Sequence, residues 1–154
     1  MPVVRVAVVS DELSNPASEH LRRVVAFVTD SGSAPPGELV RASRADDFGY
    51  EDRRRGPSFP PLGTESFSKF VETIWETGAG RPRFDDEILA VRGERYVAGT
   101  IRLDFGNGWL RESVIVLALD VTLSLVQRVV EFDLDDVDGA MAELDRLHSR
   151  ADGS

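Results

Sequence analysis

The chain has no cysteine, only two histidines and no long apolar run. Without cysteine there is no disulfide, no thiolate metal site and no thiol nucleophile. The histidines, His20 and His148, stand far apart, and neither HExxH nor any comparable ligand spacing occurs. No metal centre is therefore expected. No apolar stretch approaches the roughly 20 residues that cross a bilayer. The N-terminal run "VVRVAVV" is broken by Arg5. It is too short and too charged for the apolar core of a signal peptide. A soluble, cytoplasmic protein with no membrane partner is expected. A Gly-rich phosphate loop, a dinucleotide fingerprint and a serine nucleophile elbow are also missing, so no cofactor is implied. Positive charge is scarce: 18 Lys and Arg stand against 27 Asp and Glu, for a net charge of −9. Such a surface repels nucleic acid and anionic lipid. The triplet Arg53-Arg54-Arg55 is then a local basic spot on an acidic body.

What is present reads as one domain. The 154 residues, 42% apolar and 29% charged, are enough to bury a core. The domain is expected over residues 15–150. Residues 1–14 form an N-terminal extension whose valine-rich run, residues 3–9, can make an extra strand or a tail that pairs with a partner chain. Asn15 can cap a helix that has Pro16 at its first position, with Leu21, Val24, Val25 and Val28 as its apolar stripe. "GELVRASRA", residues 37–45, reads as a short second helix, and "FGYEDRRR", residues 48–55, as a strand. Thr64 can cap the helix "ESFSKFVETIWETG", with Phe67, Phe70, Val71, Ile74 and Trp75 on one face and Gly78 at its end. From residue 84 the period falls to two. "FDDEILAVRGE", "RYVAGTIRLDFG", "WLRESVIVLALD" and "TLSLVQRVVEFD" are four strands of an antiparallel meander, with "RGE" and "GNG" as turns. "DDVDGAMAELDRLH" closes the chain as a helix presenting Val137, Met141, Leu144 and Leu147. The fold class is α+β: a curved antiparallel sheet wrapped around N-terminal helices, with an apolar pocket at its open end.

This element order resembles the nuclear-transport-factor-2-like (NTF2-like) superfamily. That is the cone-shaped fold of SnoaL-like polyketide cyclases, ketosteroid isomerase, scytalone dehydratase and limonene epoxide hydrolase. "SRADDFGYEDRRRG" resembles the region where the family's second helix runs into its first strand. "ILAVRGERYVAGTIRLDF", "ESVIVLALD" and "RVVEFDLDDVDGAMAELDRL" resemble a SnoaL-like domain of regulatory and cyclase-like proteins. The resemblance spans residues 16 to about 148. It implies cofactor-free chemistry, a small apolar metabolite as ligand, and a homodimer formed through the sheet.

Several residues could carry that chemistry. The resemblance to ketosteroid isomerase places a general base at Asp52. Strand alternation puts Phe48, Tyr50, Asp52 and Arg54 on one face, and Glu51, Arg53 and Arg55 on the other. A carboxylate on an apolar wall has a raised pKa and can move a proton beside a carbonyl. Arg54 works against this, because a neighbouring guanidinium favours the ionised, weaker base. The alternative for Asp52 is a buried ion pair with Arg54. Glu112, which shares a face with Val114 and Val116, is the second acid; it is equally an edge charge or a partner for an arginine. The resemblance sets Val116 where the isomerase has its oxyanion-stabilising acid, and no tyrosine stands near Phe27 and Val28. Steroid isomerisation in particular is not expected. His20 is a proton carrier if it faces the pocket, whereas His148 at a helix end is structural. Phe48, Tyr50, Trp75 and Val116 are expected to line the pocket, with Arg54 holding an anionic oxygen. The same aromatics can equally be core.

Two functions fit these residues. One is an enzyme performing cyclisation, isomerisation or dehydration in a biosynthetic pathway such as polyketide formation, with Asp52 as base and Glu112 or His20 as the second proton-transfer group. The other is a non-catalytic ligand-binding or dimerisation module of a regulatory system.

Overall fold

The computed structural model describes residues 13–31, 42–55, 61–77, 83–104 and 110–153. The elements are α1 (Pro16–Ser31), β1 (Arg44–Asp52), α2 (Thr64–Thr77), β2 (Arg83–Arg92), β3 (Tyr96–Asp104), β4 (Leu110–Leu119), β5 (Val126–Phe132) and α3 (Val137–Gly153). The N-terminal extension up to residue 12, most of the expected second helix, Gly78, and the "GNG" turn with Trp109 lie outside the described residues. So do the side chains of Val25, Phe27, Val28, Ile74 and Trp75.

The five strands form one sheet in the order β1-β5-β4-β3-β2. The meander from β2 to β5 is antiparallel, as the period-two pattern requires. The sheet as a whole is mixed, not antiparallel, because β1 pairs with β5 in parallel. The connection between these two strands runs through α2 and three strands, which is ample for the crossover that parallel pairing needs. β1 also starts earlier than its sequence suggests. Arg44 and Ala45 favour a helix, but Arg44 pairs with Val126 of β5, and tertiary pairing overrides a weak propensity. The strand ends at Asp52, so the arginine triplet follows it.

The sheet has two apolar faces. The inner face gathers Leu21 of α1, Phe67 of α2, and Phe48, Tyr50, Ile115 and Val129 of the strands. The outer face gathers Ala98, Val116, Val130 and Phe132, covered by Ala140 and Leu144 of α3. Met141 and Leu147 flank that contact, whereas Val137 is exposed. Every residue of β4 from Val114 to Leu119 is buried, as a strand covered on both faces should be. Among the described residues no helix is long and apolar enough to cross a membrane. Gly99 of β3 stands where β2 bulges between Ile88 and Ala90. A Cβ there would lie 2.8 Å from the carbonyl oxygen of Glu87, so glycine permits the close approach.

Asn15 ties α1 to the sheet. Its Oδ1 accepts from the Ser18 backbone N–H at 2.8 Å, which caps the helix. Its Nδ2 donates to the carbonyls of Gly93 and Tyr96, both at 2.9 Å, in the β2–β3 turn and at the start of β3. Asn15→Ala removes the cap, worth about 1 kcal/mol, and leaves part-buried carbonyls unpaired. We expect a loss of about 2 kcal/mol in urea denaturation. Asn15→Asp keeps the acceptor but not the donor, so it should fall between the two.

Candidate functional site

The ends of β1 and β5 bring two carboxylates side by side. Asp52 and Glu131 are register partners in the parallel pair, and both side chains are buried on the inner face. Adjacent like charges in a buried setting need compensation. Each has an arginine. Arg54 grips Asp52 with two bonds, Nε to Oδ1 and Nη2 to Oδ2, each 2.9 Å. The Arg54 backbone N–H adds a third at 3.1 Å. The hydrogen bond to Asp52 pushes the Arg54 guanidinium well above its usual pKa, so Arg54 stays charged. Arg111 of β4 reaches Glu131 Oε1 at 2.8 Å, with its guanidinium 5.4 Å from the Phe70 ring centre. The Tyr50 hydroxyl donates to the same Glu131 oxygen. Burial, and then the Glu131 charge, raise the Tyr50 phenol far above its ordinary range. It therefore remains a donor. Glu131 Oε2 is buried with no hydrogen-bond partner.

The outer face deals with the other two arginines. Arg53 bonds Glu51 and, at 2.7 Å, Glu143 of α3. Arg146 binds both oxygens of Glu143, and Arg128 binds Glu51 at 2.8 Å. Burial raises the Glu143 pKa, but the Arg146 and Arg53 bonds outweigh it and hold the carboxyl below its ordinary value. Arg55 bonds Asp133 at 3.0 Å and Asp135 at 2.5 Å. All three members of the triplet thus have acidic partners within the chain.

Other expected site residues separate. Glu112 and Val116 do not join Asp52. Val116 is fully buried on the outer face beneath α3. Glu112 meets Arg102 at 3.5 Å near the surface. Alternation correctly groups Glu112 with Val116, but their face is the one α3 covers. Pairing of two chains through that sheet face would have to displace α3. Phe48 and Tyr50 are inner core residues, with rings stacked around Phe67 at 5.4 and 4.8 Å. His148 sits against Tyr96, ring centres 6.1 Å apart, on the outer face.

Sequence reasoning missed Glu131, Arg111 and Arg44. Arg44 packs over Phe48 at 4.9 Å and Phe67 at 5.5 Å, and burial lowers its pKa to about 10. His20 is buried near it. Burial, then the charges of Arg44 and Arg23, lower the His20 pKa to about 4, so its imidazole is neutral at pH 7. Five buried side-chain atoms among the described residues have no hydrogen-bond partner: His20 Nε2, Arg44 Nε, Ser113 Oγ, Arg128 Nε and Glu131 Oε2. Four of them belong to the inner face. Ser113 does so by its alternation between Arg111 and Ile115, and Arg44 by its contact with Phe48 and Phe67. No group of three or more metal-ligating side chains occurs among the described residues.

No protein-family model matches the chain, and no curated protein matches it. Solved structures do. A proposed polyketide cyclase of Xanthomonas campestris pv. campestris superposes with a TM-score of 0.54 at 14% identity, over 81% of this chain and 96% of that one. A proposed isomerase of the SnoaL-like family from Agrobacterium tumefaciens gives 0.53 at 13% identity, over 76% and 96%. A computationally designed 17-OHP binder gives 0.53 at 18% identity, over 77% and 91%. The chain has the NTF2-like fold of SnoaL-like proteins. In this SnoaL-like fold the strand residue Asp52 carries an arginine clamp, while Glu131, next to it in the sheet, keeps one oxygen unbonded. At such identities the likeness fixes the fold and transfers no residue's role.

The buried neutral His20 has a consequence for stability. Its folded pKa lies below its unfolded value of about 6.5, so the unfolded state takes up the proton first. Stability should fall as the pH drops from about 6.5 and level off for this group near 4. NMR can follow both histidine rings, and an imidazole titrating near pH 4 is expected for His20. A His20 ring that titrates at 6 or above would contradict its neutral, buried state.

Proposed function

We propose that the inner face binds a small, mostly apolar metabolite and moves a proton on it without a cofactor, with Glu131 rather than Asp52 as the base. The observation that carries this reading is the gathering of four unpartnered buried polar atoms on one face of the sheet. Ligand sites are apolar surfaces with a few convergent polar groups, and buried polar groups normally find partners. His20 Nε2, Arg44 Nε, Ser113 Oγ and Glu131 Oε2 lack partners; Arg44 packs over Phe48 and Phe67, and Glu131 takes the hydroxyl of Tyr50, whose ring lies against Phe67 and Phe70. A base needs an oxygen free to take the proton. Asp52 has both oxygens engaged by Arg54, whereas Glu131 has only Oε1 bonded. Arg44 is suited to meet an enolate or carboxylate oxygen, the role that Arg54 would otherwise take. Cyclisation, isomerisation and dehydration all fit such a pair of groups, and the neighbours in the SnoaL-like fold make a biosynthetic setting reasonable. A second reading, binding without chemistry, is favoured by the closed Asp52–Arg54 pair.

A general base can be assayed without the natural substrate. The probe is 5-nitrobenzisoxazole, a small apolar aromatic whose ring opens when one proton is removed. Glu131→Gln should lower kcat by roughly a hundredfold, the scale of general-base catalysis. Asp52→Asn should leave kcat nearly unchanged while lowering stability. If Asp52→Asn alone lost the turnover, the base would be Asp52 and our assignment would fail. Saturable binding of the probe by the wild-type protein with no turnover would establish the second reading.

A further inference from the structure

The fifth unpartnered buried atom, Arg128 Nε, lies on the opposite side of the sheet. There a cleft of about 280 Å3 opens between the C-terminal half of α3 and the strands, lined by Arg95, Arg128, Arg146, Arg150, Tyr96 and Asp47 among others. Four arginines around one cleft run against the charge of the chain, −9 overall. Their internal partners do not absorb them. Arg146 and Arg53 share the single carboxylate of Glu143, and Arg128 and Arg53 share Glu51. The Arg128 Nε lies 4.0 Å from the nearer Glu143 oxygen, beyond hydrogen-bond reach. Arg95 donates to the Leu119 carbonyl and to Gln127 Oε1, both 3.0 Å, and so meets no acid in these bonds. The one lining acid, Asp47, accepts from Gln127 at 2.9 Å. Arg150 is exposed on the last described turns of α3. Asp120 lies near enough to Arg95 to feel its charge, so five arginines face four carboxylates, and like charges gathered this way repel unless an anion joins them.

We propose that this outer cleft is a second binding site, for a compact multivalent oxyanion of the phosphate or pyrophosphate class. Guanidinium forks match the oxygens of such an anion. The site is separate from the inner face, with the sheet between them. An anion here would bond α3 to the β1–β5 edge and so brace the helix that closes the outer face.

The experiment is calorimetric titration of the full chain with sodium pyrophosphate and with inorganic phosphate, at constant ionic strength, with sodium chloride as control. ATP in parallel distinguishes a free oxyanion from the phosphate tail of a nucleotide. Saturable binding at one site is expected, with pyrophosphate tighter than phosphate. Arg150→Gln, on an exposed turn where folding is not at stake, should weaken it roughly tenfold, the loss of one charge-assisted contact. Arg95→Gln should do the same. Arg102→Gln, an exposed arginine away from the cleft, should leave the affinity unchanged. Equal loss with Arg102→Gln, or no saturable binding of any of the three anions, would overturn the proposal. Glu131→Gln should leave the anion affinity intact, so failure of the inner-face reading and failure of this one are distinguishable.

Discussion

Along the β1–β5 ribbon, adjacent side chains point to opposite faces of the sheet, and this alternation sorts the charge of the molecule. Tyr50, Asp52 and Glu131 go inward, toward α1, α2 and their aromatic neighbours. Glu51, Arg53 and Arg128 go outward, under and beside α3. Parallel pairing then brings Asp52 level with Glu131. Two adjacent buried carboxylates call for cations, since burial disfavours charge and like charges repel. Arg54 and Arg111 supply the cations from different elements, one just past the strand and one from β4. The inner polar cluster is therefore a consequence of register, and a one-residue slip would turn all of it to the other face.

The outer face shows the same logic with a different result. Its apolar residues could not remain open to water at such area, and α3 covers them. Apolar packing by Ala140 and Leu144 does not by itself fix which way the helix runs over the strands. Glu143, buried and already held by Arg146 of the same helix, supplies direction through Arg53, because α3 must lie where that carboxylate reaches the end of β1. A buried ion pair is weak evidence for net stability but good at specifying one arrangement. Arg146, one of the two, also lines the outer cleft.

Much of this was legible in the sequence. The period-two segments marked the meander, Asn15-Pro16 marked the start of α1, and alternation put Arg54 beside Asp52 and apart from Arg53. The errors have physical causes. Alternation says which residues share a face but not which helix covers it, so Glu112 and Val116 were assigned inward when their face is the one under α3. Both sides of β4 are apolar, which removes the contrast that would have told them apart. Arg44 looks helical in the sequence because its pairing partner lies 82 positions further along the chain. Glu131 had a signal that went unused. An acid set among Val129, Val130 and Phe132 in a short strand must be paired or must serve a ligand. The bulge between Ala118 and Leu119 in the β4–β5 pairing shifts parity within β5, so counting from Val126 alone misplaces it.

The energetic weight of the inner-face atoms bears on whether that face is merely core. A buried polar group without a partner costs about 1–3 kcal/mol, and a domain has a net stability of about 5–15 kcal/mol. Four such atoms on one face would consume much of that margin if they served packing alone. Leucine at Arg44 and glutamine or valine at Glu131 would fill the same space with less desolvation. The retained groups are one cation, one carboxylate oxygen, one hydroxyl and one neutral imidazole, which is the complement of an oxygen-bearing small molecule and not of an apolar core. Arg54, by contrast, costs nothing of this kind, since its charge is satisfied within the chain. The difference between a satisfied pair at Asp52 and an unbonded oxygen at Glu131 is the reason the proposed base is the second carboxylate and not the first.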